Sequence, residues 1–425
     1  MRIKYNDKNV ISLIVILLSA SIALGFLHIS ILYVLLMIEI MAVSLVFASR
    51  FHGKITLVQF LWIVSTAYII LTTRTFNFLV LYYLLNTALG LMVLISIKKE
   101  TIFLVYYRFK CFWIFGLLSA ITIFVEMIFP NTIINIYRAI SPNEVEDIII
   151  YLRRGRYLGI TNYVWYTTLL LFLGGGYILS EYRTTEKKYR FAFALVIVAL
   201  LIASFLTGSR STMVLFPLIA VAFYGGRNTI INAFKALFVL ALLYVIIMYS
   251  GLQLRIIDTF QNLINHFING ESLDSARASF RELAISFFHE NSLLGIGWYE
   301  YRNRAFEVFG KYYHVHNLYL QLLAENGIVG TFVIVLPWLG TYVKTFACVY
   351  NFRKYKDLTV YRIAKYCLFI QTLFYIDSVI HVTLYDPRTM LIFYIICGIS
   401  LQCSRVAPDS SYYDDYYLHA EKGRA

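Results

Sequence analysis

The sequence is short of charge. Of its 425 residues only 14% are Asp, Glu, Lys or Arg, while 60% are hydrophobic and the mean hydropathy is +0.70. A soluble globular domain carries about 25% charged and 45–50% apolar residues. The deficit excludes a soluble enzyme, a soluble nucleic-acid-binding domain and a disordered chain, despite a net charge of +13. Proline is scarce at six residues, so long helices meet few breaks. Cysteine is scarce too. Cys111, Cys348, Cys367, Cys397 and Cys403 fall in or beside apolar runs, and no CxxC pair occurs, so neither a disulfide framework nor a zinc site is indicated. No P-loop occurs. The short Gly174-Gly175-Gly176 run lies in an apolar stretch, which argues against an ATP-driven activity on this chain.

What is abundant is apolar sequence in runs near 20 residues, from residue 10 to residue 403. Runs of that length read as membrane-spanning helices. Length and breakers place about twelve, at roughly 10–28, 30–49, 55–72, 76–97, 111–129, 161–180, 190–206, 211–224, 229–250, 317–345, 361–384 and 389–403. The first follows Arg2, Lys4 and Lys8 but exceeds the roughly 7–15 residues of a signal-peptide core, so it is expected to stay as a helix. The expected organisation is 1–129, helices 1–5; 130–160, a first long outer loop; 161–250, helices 6–9; 251–316, a large outer loop; 317–403, helices 10–12; and 404–425, a cytoplasmic tail.

The distribution of cations orients this layout. With both termini inside, 24 of the 37 Lys and Arg lie on the inner side, and the outer 13 comprise twelve Arg and Lys311. Lysine is a hydrated point charge, whereas arginine is a planar fork that binds phosphate bidentately. An outer face that keeps Arg and avoids Lys points to oxyanion recognition there, although loop Arg paired with Asp and Glu accounts for about half of them. Six of the eight histidines, including His314, His316 and His381, also fall on or near that side. Imidazole suits proton transfer near neutral pH.

One segment concentrates the chemistry. His314-Val-His316-Asn317-Leu-Tyr-Leu-Gln321-Leu-Leu-Ala-Glu325-Asn-Gly327-Ile-Val-Gly330 opens the tenth span. Helical spacing puts Asn317, Gln321 and Glu325 on one face. A carboxyl two turns into a bilayer is costly, so Glu325 should face the bundle interior or a wet cavity. The plain alternative is that Glu325 satisfies a neighbouring helix and His316 caps the loop. Gly327 and Gly330 permit a close helix contact or a bend.

His-Asn, nine residues, Gly, two residues, Gly resembles the signature helix of the O-antigen polymerase and O-antigen ligase superfamily. Glu290-Asn-Ser-Leu-Leu-Gly295-Ile-Gly297 resembles the turn upstream of it, with Ser292 where the family has Pro. Arg277 and Arg281 match the basic residues opening the family's outer-loop helix. Thr207-Gly208-Ser209-Arg210 resembles its mid-chain Ser-Arg, and Arg156-Tyr-Leu-Gly159 its Arg-x-x-Gly turn without the Pro-Asn that often follows. The resemblance runs from about Arg156 to Gly330; the first five spans fit by topology only.

The resemblance implies an all-α, polytopic integral membrane bundle of the type C glycosyltransferase kind, with short helices in a long periplasmic loop. It implies transfer of a glycan from undecaprenyl diphosphate at the periplasmic face of a bacterial inner membrane, with no cofactor and no metal. The partners would be undecaprenyl-diphosphate-linked glycans, membrane lipids and a chain-length regulator protein, with no nucleic acid. His316 would act as general base. Arg210, Arg277, Arg281 and, more weakly, Arg156 would hold the diphosphate, and His314, Asn317, Gln321 and Glu325 would complete the substrate site. Leu318-Tyr-Leu-Gln321 is closer to polymerases than to ligases. A transporter of lipid-linked glycans is the competing class, but it would show internal inverted repeats, and none is evident. Glu144, Glu146 and Asp147 are the one alternative divalent-metal cluster, and an acidic loop turn is the simpler reading of them.

Overall fold

The computed structural model describes residues 15–16, 55–97, 102–140, 145–161, 163–182, 186–224, 275–352 and 359–405. The spans expected at 10–28 (apart from Val15 and Ile16), 30–49 and 229–250 lie outside the described residues, as do loop residues 251–274 and the tail from 406.

The described residues form helices joined by short turns. In chain order they are α1 (Leu57–Thr72), α2 (Phe78–Ser96), α3 (Ile102–Arg108), α4 (Lys110–Ile128), α5 (Pro130–Ile140), α6 (Val145–Arg153), α7 (Val164–Glu181), α8 (Lys187–Leu206), α9 (Arg210–Tyr224), α10 (Ser275–Glu290), α11 (Glu300–Phe309), α12 (Leu318–Asn351), α13 (Thr359–Asp377) and α14 (Pro387–Cys403). The chain is an all-helical membrane protein. By length and composition, three described stretches can cross a bilayer unaided: Val105–Ile128, Lys187–Leu206 and Leu318–Asn351. Leu57–Thr72, Val80–Ser96 and Pro387–Cys403 are apolar but shorter.

Local chemistry sets the helix starts. Thr56 and Gln59 form a capping box on α1, and the Asn77 side chain accepts the Val80 N–H at 2.9 Å. Asp386 caps α14 through Arg388 N (3.0 Å) and Thr389 N (3.1 Å), with Pro387 in the first turn. Small residues let the helices close up. A Cβ on Gly174 of α7 would stand 2.7 Å from Trp113 Cα of α4, and one on Gly175 2.6 Å from the Phe216 ring. The Gly174-Gly175-Gly176 run is therefore a packing device. α14 is buried along its whole length, against α2, α12 and α13. α8 exposes Phe191, Leu195 and Val198, as a lipid-facing helix does.

Both described loop segments lie at one end of this bundle. Leu158 and Gly159 bond to Glu126 near the end of α4, and Tyr157 N bonds to Leu206 O at the end of α8. In the second loop, Trp298 N bonds to Thr72 O at the end of α1, and Leu318 N bonds to Ser378 O after α13. This is the loop end of the molecule.

Candidate functional site

The site is organised by a break in α12. Gly327 has φ 60° and ψ −166°, so the helix stops and restarts there. Such a break frees carbonyls before it and amides after it, and inside a membrane they must find protein partners. The turn after α10 supplies them. Ile296 N donates to Ala324 O (3.1 Å) and Gly297 N to Glu325 O (2.8 Å), while Ile328 N donates to Ser292 O (2.9 Å) and Val329 N to Leu293 O (3.2 Å). The two backbones touch. A Cβ on Gly327 would lie 2.3 Å from the Leu293 carbonyl, and one on Gly295 2.3 Å from that of Glu325. Both glycines also have positive φ. Gly330 admits the Tyr68 hydroxyl, which bonds to Asn326 O at 3.4 Å. The Leu-Leu-Gly-Ile-Gly turn and the Gly-x-x-Gly helix are thus two halves of one crossing.

Glu325 secures that crossing. Its Oε2 accepts Tyr299 N (2.8 Å) and the Tyr385 hydroxyl; its Oε1 accepts Tyr301 N (3.2 Å) and Gln321 Nε2 (3.1 Å). Gln321 Oε1 accepts Val315 N (3.3 Å) and faces His314 Nδ1 at 3.2 Å. Because Gln321 gives its amide N–H to Glu325, His314 must donate from Nδ1, which leaves Nε2 as an acceptor. Burial and the Arg302 charge push the His314 pKa down to about 3, and the bond to Gln321 offsets only part of this. His314 is therefore neutral at physiological pH. The rings of Tyr83, Trp298, Tyr299 and Tyr385 pack around this network, with Trp298 and Tyr385 stacked at 4.8 Å.

These contacts give three residues of the expected substrate site protein partners. Asn317, Gln321 and Glu325 were expected on a substrate-binding face. Asn317 instead caps α12, accepting Leu320 N at 2.9 Å. Gln321 and Glu325 are fully buried and bonded to protein. A carboxylate with four protein donors has little capacity left for a sugar, so all three position the loop.

His316 sits where the loop enters α12, half-buried, with a left-handed backbone (φ 55°). Tyr299 is the other described non-glycine residue with positive φ. Such strain costs about 1–3 kcal/mol and persists only where the surroundings impose it. Glu325 imposes it at Tyr299 by holding its N–H; the Leu318–Ser378 bond fixes the residue two beyond His316. The His316 ring lies 6.5 Å from that of Phe280 on α10. Arg277 is one turn from Phe280 on the same face, half-buried; Arg281 is exposed.

The two loops meet around Tyr163, which lies in the fields of Arg156, Arg277 and Asp386. Arg156 also lies over the Tyr151 ring, 5.8 Å from its centre. The turn carrying Arg156 is tied by Tyr157 N to the end of α8, four residues before Arg210. Arg210 stands first in α9, and its side chain lies outside what is described. Arg156 and Arg277, 121 positions apart, are thus both within electrostatic reach of Tyr163, and α10, which carries Arg277, packs on His316 through Phe280. Arg304, by contrast, is paired with Glu290 at 2.6 Å, the ordinary fate of a loop cation. Glu146 and Asp147 occupy the first turn of α6, where carboxylates complement the helix dipole; Glu144 lies outside the described residues.

Two groups at this end escaped the sequence reading. Asp377, at the end of α13, bonds to His381 Nδ1 at 2.9 Å, and His381 packs on Trp165. Tyr166 donates to Asp386 at 2.5 Å while the Arg388 guanidinium covers its ring at 4.0 Å. The i, i+4 spacing of Asp377 and His381 was the available signal for the first pair. The second joins residues 220 positions apart and had none.

Residues 194–335 match the family model for O-antigen ligase. The match supports the O-antigen polymerase and ligase superfamily, so the resemblance read from the motifs is borne out. It covers Arg210, Arg277, Arg281 and the whole His316-to-Gly330 stretch; Arg156 precedes it. No curated protein matches the chain.

Proposed function

We propose that the protein polymerises oligosaccharide repeat units carried on undecaprenyl diphosphate, at the outer face of a bacterial inner membrane. The observation carrying this reading is that Arg156 and Arg277, from separate loops, are both within electrostatic reach of Tyr163, while the helix bearing Arg277 packs on His316. A departing diphosphate is a concentrated anion, and guanidinium groups match it bidentately. Arg156, Arg210, Arg277 and Arg281 hold it. His316 takes the proton from an acceptor hydroxyl as that oxygen attacks the anomeric carbon. The bond from that carbon to the diphosphate oxygen breaks on the opposite face, so the configuration inverts. The termini lie in the cytoplasm, and a chain-length regulator is the expected protein partner.

Leu318-Tyr-Leu-Gln321 favours the polymerase reading. The matched family description favours a second one, transfer of finished glycan onto lipid A-core. A deletion strain separates them: single repeats on the core mean a lost polymerase, whereas lipid-linked polymer with bare core means a lost ligase. His316→Ala at wild-type membrane abundance should abolish the product ladder, because a half-buried side chain at a helix mouth leaves no large cavity. Wild-type ladder lengths in that variant would remove His316 from the mechanism.

A further inference from the structure

At the end of the bundle opposite His316, α1, α12 and α14 enclose a cavity of about 340 Å³. Thr56, Lys344, Asn351, Ser404 and Arg405 supply its polar lining, and among the described residues no carboxylate lines it. Among the described residues Lys344 has no hydrogen-bond or ion-pair partner. Among the described residues Arg405 bonds to neutral amide oxygens, Gln59 Oε1 at 2.9 Å and Gln402 Oε1 at 3.3 Å, which fix its direction without a carboxylate. Thr56 begins α1, whose dipole adds positive potential to the same space, while α12 and α14 end beside it and add negative potential. Two cations with no carboxylate partner among the described residues, hydroxyls and an amide around a cavity are the chemistry of a phosphate site. The volume, roughly that of ten water molecules, accommodates a phosphodiester with a glycerol.

We propose that this cavity binds the phosphate headgroup of an anionic bilayer phospholipid. A lipid source, as opposed to free phosphate, follows from the rim. Leu57, Val343 and Phe346 adjoin the lining residues Thr56, Lys344 and Ala347 and are 73%, 63% and 56% exposed. They offer acyl chains an apolar surface directly beside the charged cavity, the arrangement expected where basic pockets between spans take lipid headgroups. The site is remote from Arg156 and Arg277. Lys344 lies 17 residues beyond the Gly327 break in α12, roughly 26 Å at the helical rise.

The test is thermal unfolding of the purified full-length protein in neutral detergent. Phosphatidylglycerol is added as mixed micelles, with phosphatidylcholine and sodium phosphate at equal concentration as separate arms. Phosphatidylglycerol should raise Tm by several degrees while the other two leave it within one degree. Lys344→Gln should lose at least half of that shift, and Lys344→Arg should keep it. Without lipid Lys344→Gln should unfold at the wild-type temperature, because the side chain has no partner to lose. An equal shift with phosphatidylcholine, an equal shift with phosphate, or a full shift in Lys344→Gln would each overturn the proposal. So would a shift seen only after Asp409, Asp414 and Asp415 are changed to Asn, since the chain's own acidic tail would then be the occupant.

Discussion

Glu126, near the loop end of α4, accepts the N–H groups of Leu158 (2.7 Å) and Gly159 (3.1 Å); Glu325, two turns into α12, accepts those of Tyr299 (2.8 Å) and Tyr301 (3.2 Å). Each buried carboxylate fastens one loop, and each loop carries an arginine whose charge reaches Tyr163. Their loads differ. Both bonds to Glu126 fall on Oε2, and Oε1 is buried without a partner. Glu325 uses both oxygens for four donors. The second loop must also fill a broken helix and hold two strained residues, Tyr299 and His316, so it needs the stronger clamp. The first loop only has to bring Arg156 within reach of Tyr163.

The sharpest test of that difference is to delete each carboxylate. Glu325→Ala leaves four donors without an acceptor, the Tyr299 and Tyr301 amides, Gln321 and Tyr385, at about 1–3 kcal/mol for each buried group left unmet. Glu126→Ala strands two amides, at about 1–3 kcal/mol for each group left unmet. Thermal unfolding in detergent should therefore rank Glu325→Ala below Glu126→Ala by several degrees. Equal losses would break the comparison.

Next in size is the crossing itself. Gly327→Ala places a methyl against the Leu293 carbonyl at positive φ. At φ 60° and ψ −166°, a region essentially reserved for glycine, the backbone term is about 1–3 kcal/mol and the overlap adds about 1–3 kcal/mol. Gly310→Ala, also at positive φ (68°) but with nothing within 4 Å, should show the backbone term alone. A Gly327→Ala protein no less stable than Gly310→Ala would mean that α12 and the turn do not interlock.

Legibility from the sequence followed a similar division. Nine of the expected spans coincide with described helices to within a few residues, because apolar length and polar breakers act locally; 317–345 and Leu318–Asn351 are one example. Glu325 stood out because an acid in an apolar run is conspicuous, and its face was read correctly from helical spacing. Its partners were not legible. Tyr385 is 60 positions away, and two of its four donors are backbone amides, which no side-chain pattern reveals. Glu126 drew no attention, since it stands near the end of a span, where an acid reads as interfacial. Gly327 and Gly330 were expected to permit a close helix contact or a bend, and Gly327 does both; that its contact is the backbone of the Gly295 turn was not legible.

A smaller effect separates the two carboxylates by the oxygens they use. In Glu126→Gln the amide oxygen can keep both N–H groups and turn its NH2 toward the unpartnered side, so the expected cost is below about 1 kcal/mol. In Glu325→Gln the new NH2 confronts two donors whichever way it turns. The loss should reach about 2–3 kcal/mol, the scale of unsatisfied buried groups. Chemical or thermal unfolding of the two glutamine variants reads the gap directly, and similar losses would show that Glu126 is also saturated.

The smallest effect is a slope with pH. His314 hangs from Glu325 through Gln321, and the groups facing it are Arg302, His316 and that amide. Its pKa is near 3 in the folded protein against about 6.5 for free imidazole. Between those values the unfolded chain binds a proton that the folded chain does not, so stability rises with pH there and falls as acid is added. The slope is at most about 1.4 kcal/mol per pH unit. His314→Gln removes the titrating group and should flatten the fall in Tm between pH 6.5 and 4.5. No histidine among the described residues hangs from Glu126, so acid should loosen the second loop first. Limited proteolysis at pH 5 should then cut within 275–316 before 130–160, and His314→Gln should delay that cut. An unchanged pH slope, or earlier cutting in the first loop, would separate His314 from the Glu325 clamp and leave the two loops equally sensitive to acid.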